Sequence, residues 1–400
     1  MPKPRLGLIF FVVLLDIIGF AILLPVLPYF AQHLGATPTQ VGILTGLYAL
    51  CQFVGAPILA RLSDSLGRKP MFVLDICGNI IGFVIIGFAD ALWMFFAARI
   101  LAGLVSANIP IAQAYIADIT SEAERSKALG LLGAAFGCGF TIGPAIGGIL
   151  LRSGEFALPA FLSAALGVIN VCVVIFLLPE SLSPERMSLA RERSLVPSDM
   201  LNVPKLAEML GSPKVAPMLV VWCGFSLAFA LFQQNISLFN KLHLQLSARE
   251  TSYVFAFIGI AVALTQGVVL RPLTAKFHDE ELLRLALPIM ACSLGLWAFS
   301  QNTIMLLTAI APLCFSASLL ITVVNSLLTK AVSSDQTGGI MGISGAIDNS
   351  TRFVAAFAGG AMMERVGTFA PGILALCLML GIMLWSAFVL KPQHSTTLSK

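Results

Sequence analysis

Apolar runs of about twenty residues alternate along the whole chain with short polar stretches. Twelve such runs lie near residues 6–30, 40–60, 71–89, 93–117, 127–150, 157–178, 215–240, 250–271, 282–300, 303–328, 338–361 and 368–390. Each has at least the ~17–20 apolar residues that a helix needs to cross a bilayer. The one long polar interval is Pro179–Pro213, where Arg186, Arg191, Arg193 and Lys205 are interspersed with Glu180, Glu185, Glu192 and Glu208. Its Pro, Ser and charge content predicts a solvated linker, with a short surface helix near Leu201–Leu210. The expected fold class is an all-α membrane protein, with twelve transmembrane helices in two pseudo-symmetric six-helix halves. Residues 1–178 form the first bundle, 179–213 the linker, 214–390 the second bundle and 391–400 a tail.

A direct repeat relates the halves. An offset of 212 residues carries Gly55 to Gly267, Gly130 to Gly342, Gly133 to Gly345, Gly147 to Gly359 and Gly148 to Gly360. Five coincidences at one offset exceed what 34 glycines suggest by scatter.

Charge fixes the expected orientation. With the N-terminus inside, 18 of the 24 Lys and Arg fall in cytoplasmic segments or at the cytoplasmic ends of spans and 4 in outer loops, while Arg99 and Arg352 lie deeper within spans. Lys and Arg are retained on the cytoplasmic side, so both termini are expected there, in a plasma (inner) membrane. Composition agrees: 58% of residues are hydrophobic, 11% are charged and the mean hydropathy is +0.93. A soluble fold cannot hide that much apolar surface. The net charge of +4 follows topology, so it is no nucleic-acid signal. The eight cysteines sit in apolar runs without a CxxC, and the four histidines (His33, His243, His278, His394) lie in loops or the tail. A disulfide framework, a metal site, a cofactor and an enzymatic nucleophile–base pair are therefore not expected. Leu6–Phe30, with Pro25 and Pro28, is too long and too polar at its end for a cleaved signal peptide. The expected partners are the lipid bilayer, protons and a small-molecule substrate, and the expected state is a monomer.

Charges at membrane depth come next, because each costs roughly 2.5–3.5 kcal/mol on insertion scales unless paired or solvated. Asp16 is about ten residues into span 1, roughly 15 Å deep. It reads as a titrating carboxylate or as a buried acid locked to a cation. Arg99 is near the outer end of span 4, where it either tunes a carboxylate, binds an anionic group or snorkels to the interface. Asp348 and Arg352 are spaced i, i+4 and are expected to pair, Asp348 becoming a second titrating site if the pair opens. Asp75, about five residues into span 3, is expected to reach the cytoplasmic interface. Gln233, Gln234 and Asn235 in span 7, Gln266 in span 8 and Asn325 in span 10 suit an amphipathic organic ligand or, equally, helix–helix hydrogen bonding. Gly139, Gly143 and Gly147 give small-xxx-small spacing in span 5, followed by Gly148, and Pro144 removes one helical hydrogen bond. This set serves close packing or a pivot.

Four stretches carry a resemblance. Asp64, Gly67, Arg68 and Lys69 spell D-x-x-G-R-K between spans 2 and 3. Asp16–Pro28 reads DIIGFAILLPVLP, Arg99 opens RILAGLVSA, and Gly139–Gly148 reads GFTIGPAIGG. In this order they resemble the major facilitator superfamily, in particular its twelve-helix drug/proton antiporters and, over the first half, tetracycline-efflux proteins. The resemblance implies parallel halves related by an axis along the membrane normal, with a substrate site between them. It implies a proton-coupled exporter of an amphipathic, drug-like molecule, with Asp16 and Arg99 in coupling. It implies a cytoplasmic latch of Asp64, Arg68, Asp118 and Arg125 that stabilises one access state. An exporter of an endogenous metabolite on the same scaffold is the alternative, and a non-transporting receptor or assembly protein a further one. Ser65 and Ala60 depart from the loop signature, and Lys276 and Glu280 show that its second copy is degraded. Gly82 stands where tetracycline exporters carry a second aspartate. Ala261–Gln266 and Pro288–Ser293 lack their histidine and aspartate, so tetracycline itself is not implied.

Overall fold

The computed structural model describes residues 3–151, 156–194, 212, 215–333 and 336–389. Ten of its helices are long and apolar enough to cross a membrane. Thr337–Arg365 and Ala370–Val389 complete the twelve. In chain order they are α1a (Lys3–Leu23) and α1b (Leu27–His33), α2 (Pro38–Leu66), α3 (Arg68–Gly87), α4a (Leu92–Val105) and α4b (Asn108–Ile119), α5 (Glu122–Leu150) and α6 (Ala157–Leu177). The second six are α7 (Ala216–Leu242), α8a (Ala248–Leu264) and α8b (Leu270–Lys276), α9 (Asp279–Ala298), α10 (Thr303–Lys330), α11 (Thr337–Arg365) and α12 (Ala370–Val389). A linker helix, Pro184–Ser194, lies against α2. The surface helix expected near Leu201–Leu210 falls outside the described residues.

Local chemistry sets where the helices start and break. Thr37 and Gln40 form a reciprocal capping box at α2, with Pro38 in the first turn, and Ser247 and Glu250 do the same at α8a. Gly67 takes φ 107° between α2 and α3, a conformation that needs no Cβ and lets the chain re-enter the membrane within one residue. Three spans are not continuous. Pro25 lies in the turn between α1a and α1b, and Ser106–Ala107 interrupts α4. The third break is a π-helical turn, Thr265–Val269, in α8. Turns of this kind recur at functional sites.

Glycines determine which helices touch. A Cβ built at Gly143 would lie 2.7 Å from the Ala21 Cβ, and one at Gly147 2.7 Å from the Ile22 carbonyl, so α5 rests directly on the α1a backbone. Two seams join the halves, α2 with α11 and α5 with α8. The repeated glycines explain themselves here. Gly147 packs on α1a and Gly359 on Asn235 of α7, within each half, while Gly148 packs on Ser252 and Gly360 on Gly42, across the halves. These two pairs therefore occupy equivalent places in a two-fold arrangement, whereas Gly55 packs on Leu104 and its counterpart Gly267 has nothing within 4 Å.

Both seams are tight at one end and open at the other. At the end bearing Tyr29, Gly148 and Glu364, Tyr29 donates to the Leu246 carbonyl at 2.8 Å and Arg249 Nε to the Gly148 carbonyl at 3.1 Å. The Thr39 amide donates to Glu364 at 2.9 Å across the other seam. Toward the end that bears the termini the helices separate. A Cβ at Gly137 would sit 3.4 Å from Ala263 and one at Gly133 3.7 Å from Gln266, but nothing lies within 4 Å at Gly130. On α11, Gly345 and Gly342 stand three turns before Ala356 and Phe353, on the face that meets Gly42 and Gly46, and nothing lies within 4 Å of either. The structure thus holds the halves closed at the far end and parted at the end with the termini.

Candidate functional site

The first half buries a polar cluster around the interruption of α4. Asp75 is 0% exposed. It accepts the backbone N–H groups of Ala107 at 2.6 Å and Asn108 at 3.1 Å, and the Asn79 amide at 3.3 Å. The carboxylate thus caps α4b, whose first N–H groups have no partner within the helix. Asp75 was expected at the membrane interface and is found in the interior. The loop before α3 is a single glycine, so position 75 is already two turns in, roughly 10 Å.

Asp16 on α1a is partly buried and faces Asn79 and Asn108, within electrostatic reach of Asp75. Neither polar atom of the Asn108 side chain has a hydrogen-bond partner, although both are buried. Arg99 on α4a is 5% exposed, so it does not snorkel. Its guanidinium carbon stands 5.6 Å from the centroid of the Tyr48 ring, a cation–π contact worth about 2 kcal/mol when desolvated. Its Nε has no acceptor. Tyr48 joins the groups: its hydroxyl pairs with Ser106 Oγ at 2.8 Å, and the charges of Asp75, Asp16 and Arg99 all act on it. Gln52 donates to the same Ser106 oxygen at 3.0 Å. Two carboxylates, one guanidinium and one phenol from four helices therefore share a buried pocket of polar atoms.

A second network surrounds the loop between α2 and α3. Arg68 pairs with Asp64 at 2.6 Å and with Asp118 at 3.1 Å, and donates to Ser63 Oγ at 2.5 Å. Ser181 Oγ donates to Asp118 at 2.9 Å. Glu180, read from sequence as one of several solvated linker charges, accepts the backbone N–H groups of Arg68 and Lys69 at 3.0 Å each. It is the N-terminal cap of α3, where a carboxylate is favoured by the helix dipole. Lys69 Nζ donates to the Ile175 carbonyl in the last turn of α6 at 2.6 Å. Arg125, expected to join this group, has its Nε buried without a partner. The network lies within the first half and is formed while the halves are parted at this end. Its hydrogen bonds therefore do not depend on closure there.

In the second half, Asp348 accepts from Ser226 Oγ on α7 at 2.5 Å. Among the described residues no ion pair joins it to Arg352, against the i, i+4 expectation. A hydroxyl fixed on the neighbouring helix satisfies the carboxylate without ordering a long arginine. The polar residues expected to bind substrate divide. Asn235 is 1% exposed and donates to the Leu231 and Ala355 carbonyls at 3.0 Å each. It ties α7 to α11, the helix–helix alternative of its two readings, and is not open to a ligand. Gln233 and Gln234 are half-buried, and Gln266 is exposed on the π turn. Asn325 has its side-chain oxygen buried without a donor. On α5, Gly139, Gly143 and Gly147 meet α1a, Gly148 meets α8a, and Pro144 lies inside a continuous helix.

Tyr48 was missed by sequence reasoning, while Asp75 and Glu180 were noted there but given other places. Asn108-Ile109-Pro110 was a usable signal, since Pro within the first turn marks a helix start and so a break before it.

Twelve membrane helices in two six-helix halves enclose these buried charges. The sequence profile of the Major Facilitator Superfamily matches residues 9–356, and the chain belongs to that family. It is 31% identical over 344 residues to the tetracycline resistance protein, class C, of Escherichia coli, covering 85% of this chain and 84% of that one. It is 27% identical over 393 residues to solute carrier family 22 member 18 of Mus musculus, covering 96% of each. The crystal structure of the human organic anion transporter MFSD10 (TETRAN) superposes with a TM-score of 0.72 at 20% identity, over 96% of this chain and 100% of that one.

Proposed function

We propose that the chain is a secondary exporter that couples inward proton movement to expulsion of an amphipathic small molecule by alternating access. The end with the termini is cytoplasmic in this reading, on the bias of Lys and Arg, and the state described is inward-facing. The observation that carries it is the Asp16–Asp75–Tyr48–Arg99 cluster. It contains a carboxylate that can exchange a proton and a permanent cation that answers its charge, both inside the membrane. Moving one charge down the membrane potential supplies about 2.3 kcal/mol per 100 mV. Neutral polar groups at Gln233, Gln234, Gln266 and Asn325 suit an amphipathic ligand better than a multiply charged one. The relative named for tetracycline resistance supports the class of cargo, though not that drug.

The unpartnered Nε of Arg99 favours one second reading, in which the cargo carries an anionic group. A neighbour named as an organic anion transporter is consistent with it.

Both readings are tested in proteoliposomes holding the full chain under an imposed pH gradient. Ethidium and tetracycline serve as cationic and zwitterionic probes and fluorescein as an anionic one. Gradient-driven accumulation of a probe is expected, together with its loss in Asp16→Asn and survival of exchange at equal pH. Accumulation that ignores the gradient would reject proton coupling.

A further inference from the structure

Asp75 is a second carboxylate buried inside the first half, and coupling at Asp16 as proposed does not by itself call for it. We propose that Asp75 is a positioning residue of the coupling site, holding the interruption of α4 and the two amides that face Asp16 in a geometry that answers to the charge on Asp16. This rests on the proposed coupling role of Asp16.

Both asparagines facing Asp16 are tied to Asp75. Asn79 donates its amide to Asp75 Oδ2 at 3.3 Å, and Asn108 gives its backbone N–H to Oδ1 at 3.1 Å. The Asn108 side chain is buried beside Asp16 and acts on its carboxylate, although neither of its polar atoms completes a well-formed hydrogen bond. An amide can donate to a carboxylate through its nitrogen or accept from a carboxylic acid through its oxygen. Held there, Asn108 can meet either protonation state of Asp16 by a rotation about its own side-chain bonds. Arg99 lies on α4a, on the other side of the same interruption, so a change at Asn108 is one short irregular segment away from it.

Capping alone does not require a carboxylate. A serine or asparagine at position 75 could accept the two N–H groups. A carboxylate here places a second acidic group within electrostatic reach of Asp16, which a serine or asparagine would not. The ionisable groups facing Asp75 are Asp16 from α1a and Tyr48 from α2, and Arg99 on α4a reaches the group through the Tyr48 ring. On α4b, Tyr115 donates to the Pro179 carbonyl and Asp118 is engaged by Arg68. On α6, Cys172 is exposed and no other ionisable group is present.

The test uses the full chain in nanodiscs, cysteine-free apart from Leu62→Cys and Met341→Cys, which are 38% and 41% exposed at the parted end. Spin-label distances between them are followed across pH without added substrate. In the background carrying Asp75, the balance of open and closed distances is expected to change with a single midpoint. Asp16→Asn is expected to flatten the curve. Asp75→Asn, which keeps the cap and removes the charge, is expected to move the midpoint towards acid by about one pH unit, since one negative charge beside Asp16 is gone. Asp75→Ser, a smaller neutral acceptor, gives the same measurement should Asp75→Asn not insert. An unmoved midpoint in either variant, with Asp16→Asn flat, overturns the proposal and leaves the coupling reading standing. A midpoint retained in Asp16→Asn, or distances that ignore pH altogether, removes the coupling reading and the proposal with it. Failure of both neutral variants to insert makes Asp75 a structural cap and also overturns the proposal.

Discussion

The Arg68 side chain is 7% exposed, that of Asp118 13% and that of Asp64 52%, so one guanidinium serves two partners of different worth. An ion pair in contact with water contributes about 0–1 kcal/mol, whereas stripping the partner from a buried charge costs about 3–5 kcal/mol. Arg68→Ala is therefore expected to lower the melting temperature in detergent markedly, and Asp64→Asn to leave it nearly unchanged. Equal losses in the two variants would show that Asp64 is not acting as a surface partner. Glu180 makes a similar case with a different cause. Its carboxylate satisfies two N–H groups at the start of α3, and Glu180→Ala is expected to cost about 1 kcal/mol, in the range of a lost helix cap. Glu180→Gln, which can still accept, is expected to recover part of that loss, as read from the same melting curves.

At the scale of elements, the close approaches of α5 and α11 separate residues that hold a helix pair together from residues that meet only in one state. Gly143 has Ala21 and the Ile18 carbonyl 2.7 Å and 2.9 Å from where its Cβ would be. Gly143→Val is expected to reduce insertion and stability, because the α1a backbone lies in the way and overpacking costs about 1–3 kcal/mol. Gly42 meets the Ala356 carbonyl across the halves, and a Cβ there would run into it. Gly42→Val is expected to spare folding but to disfavour closure of the far end, lengthening spin-label distances between α2 and α11 there. Gly345 has open space around it in this structure. Gly345→Val is then expected to be tolerated here and to hinder the state in which the terminus-bearing ends meet. A melting temperature lowered as far in Gly345→Val as in Gly143→Val would contradict this division.

At the scale of the whole molecule, the seams α2–α11 and α5–α8 are related by the same two-fold arrangement and open at the same end. A rocking motion about the far-end contacts would then expose the site to one side at a time. Orientation is checked with single cysteines at Ser183, in the linker, and Ser247, at the start of α8a. On intact cells an impermeant thiol reagent is expected to label position 247 and not 183. Labelling of both from outside would overturn the placement of the termini in the cytoplasm.

The sequence by itself determined the number of crossings, the division into halves and the repeat. These depend on the length of apolar runs and on chain order, which are local quantities. The family signatures also drew attention to Asp16, Arg99 and the group around Arg68, all of which lie in polar clusters of the first half. It could not decide what each charge meets, because a partner is chosen by helices distant in the chain. Asp348 turned to Ser226, 122 positions away, rather than to Arg352 four positions on. Asn235 was drawn to the Ala355 carbonyl, and Glu180 left its apparent place among solvated linker charges to cap α3. The depth of Asp75 was decided by the one-residue turn at Gly67 and by the broken α4 across from it. Only tertiary packing brings a carboxylate from one helix to the unpaired amides of another, since in hydrocarbon every such group must find its partner within the protein.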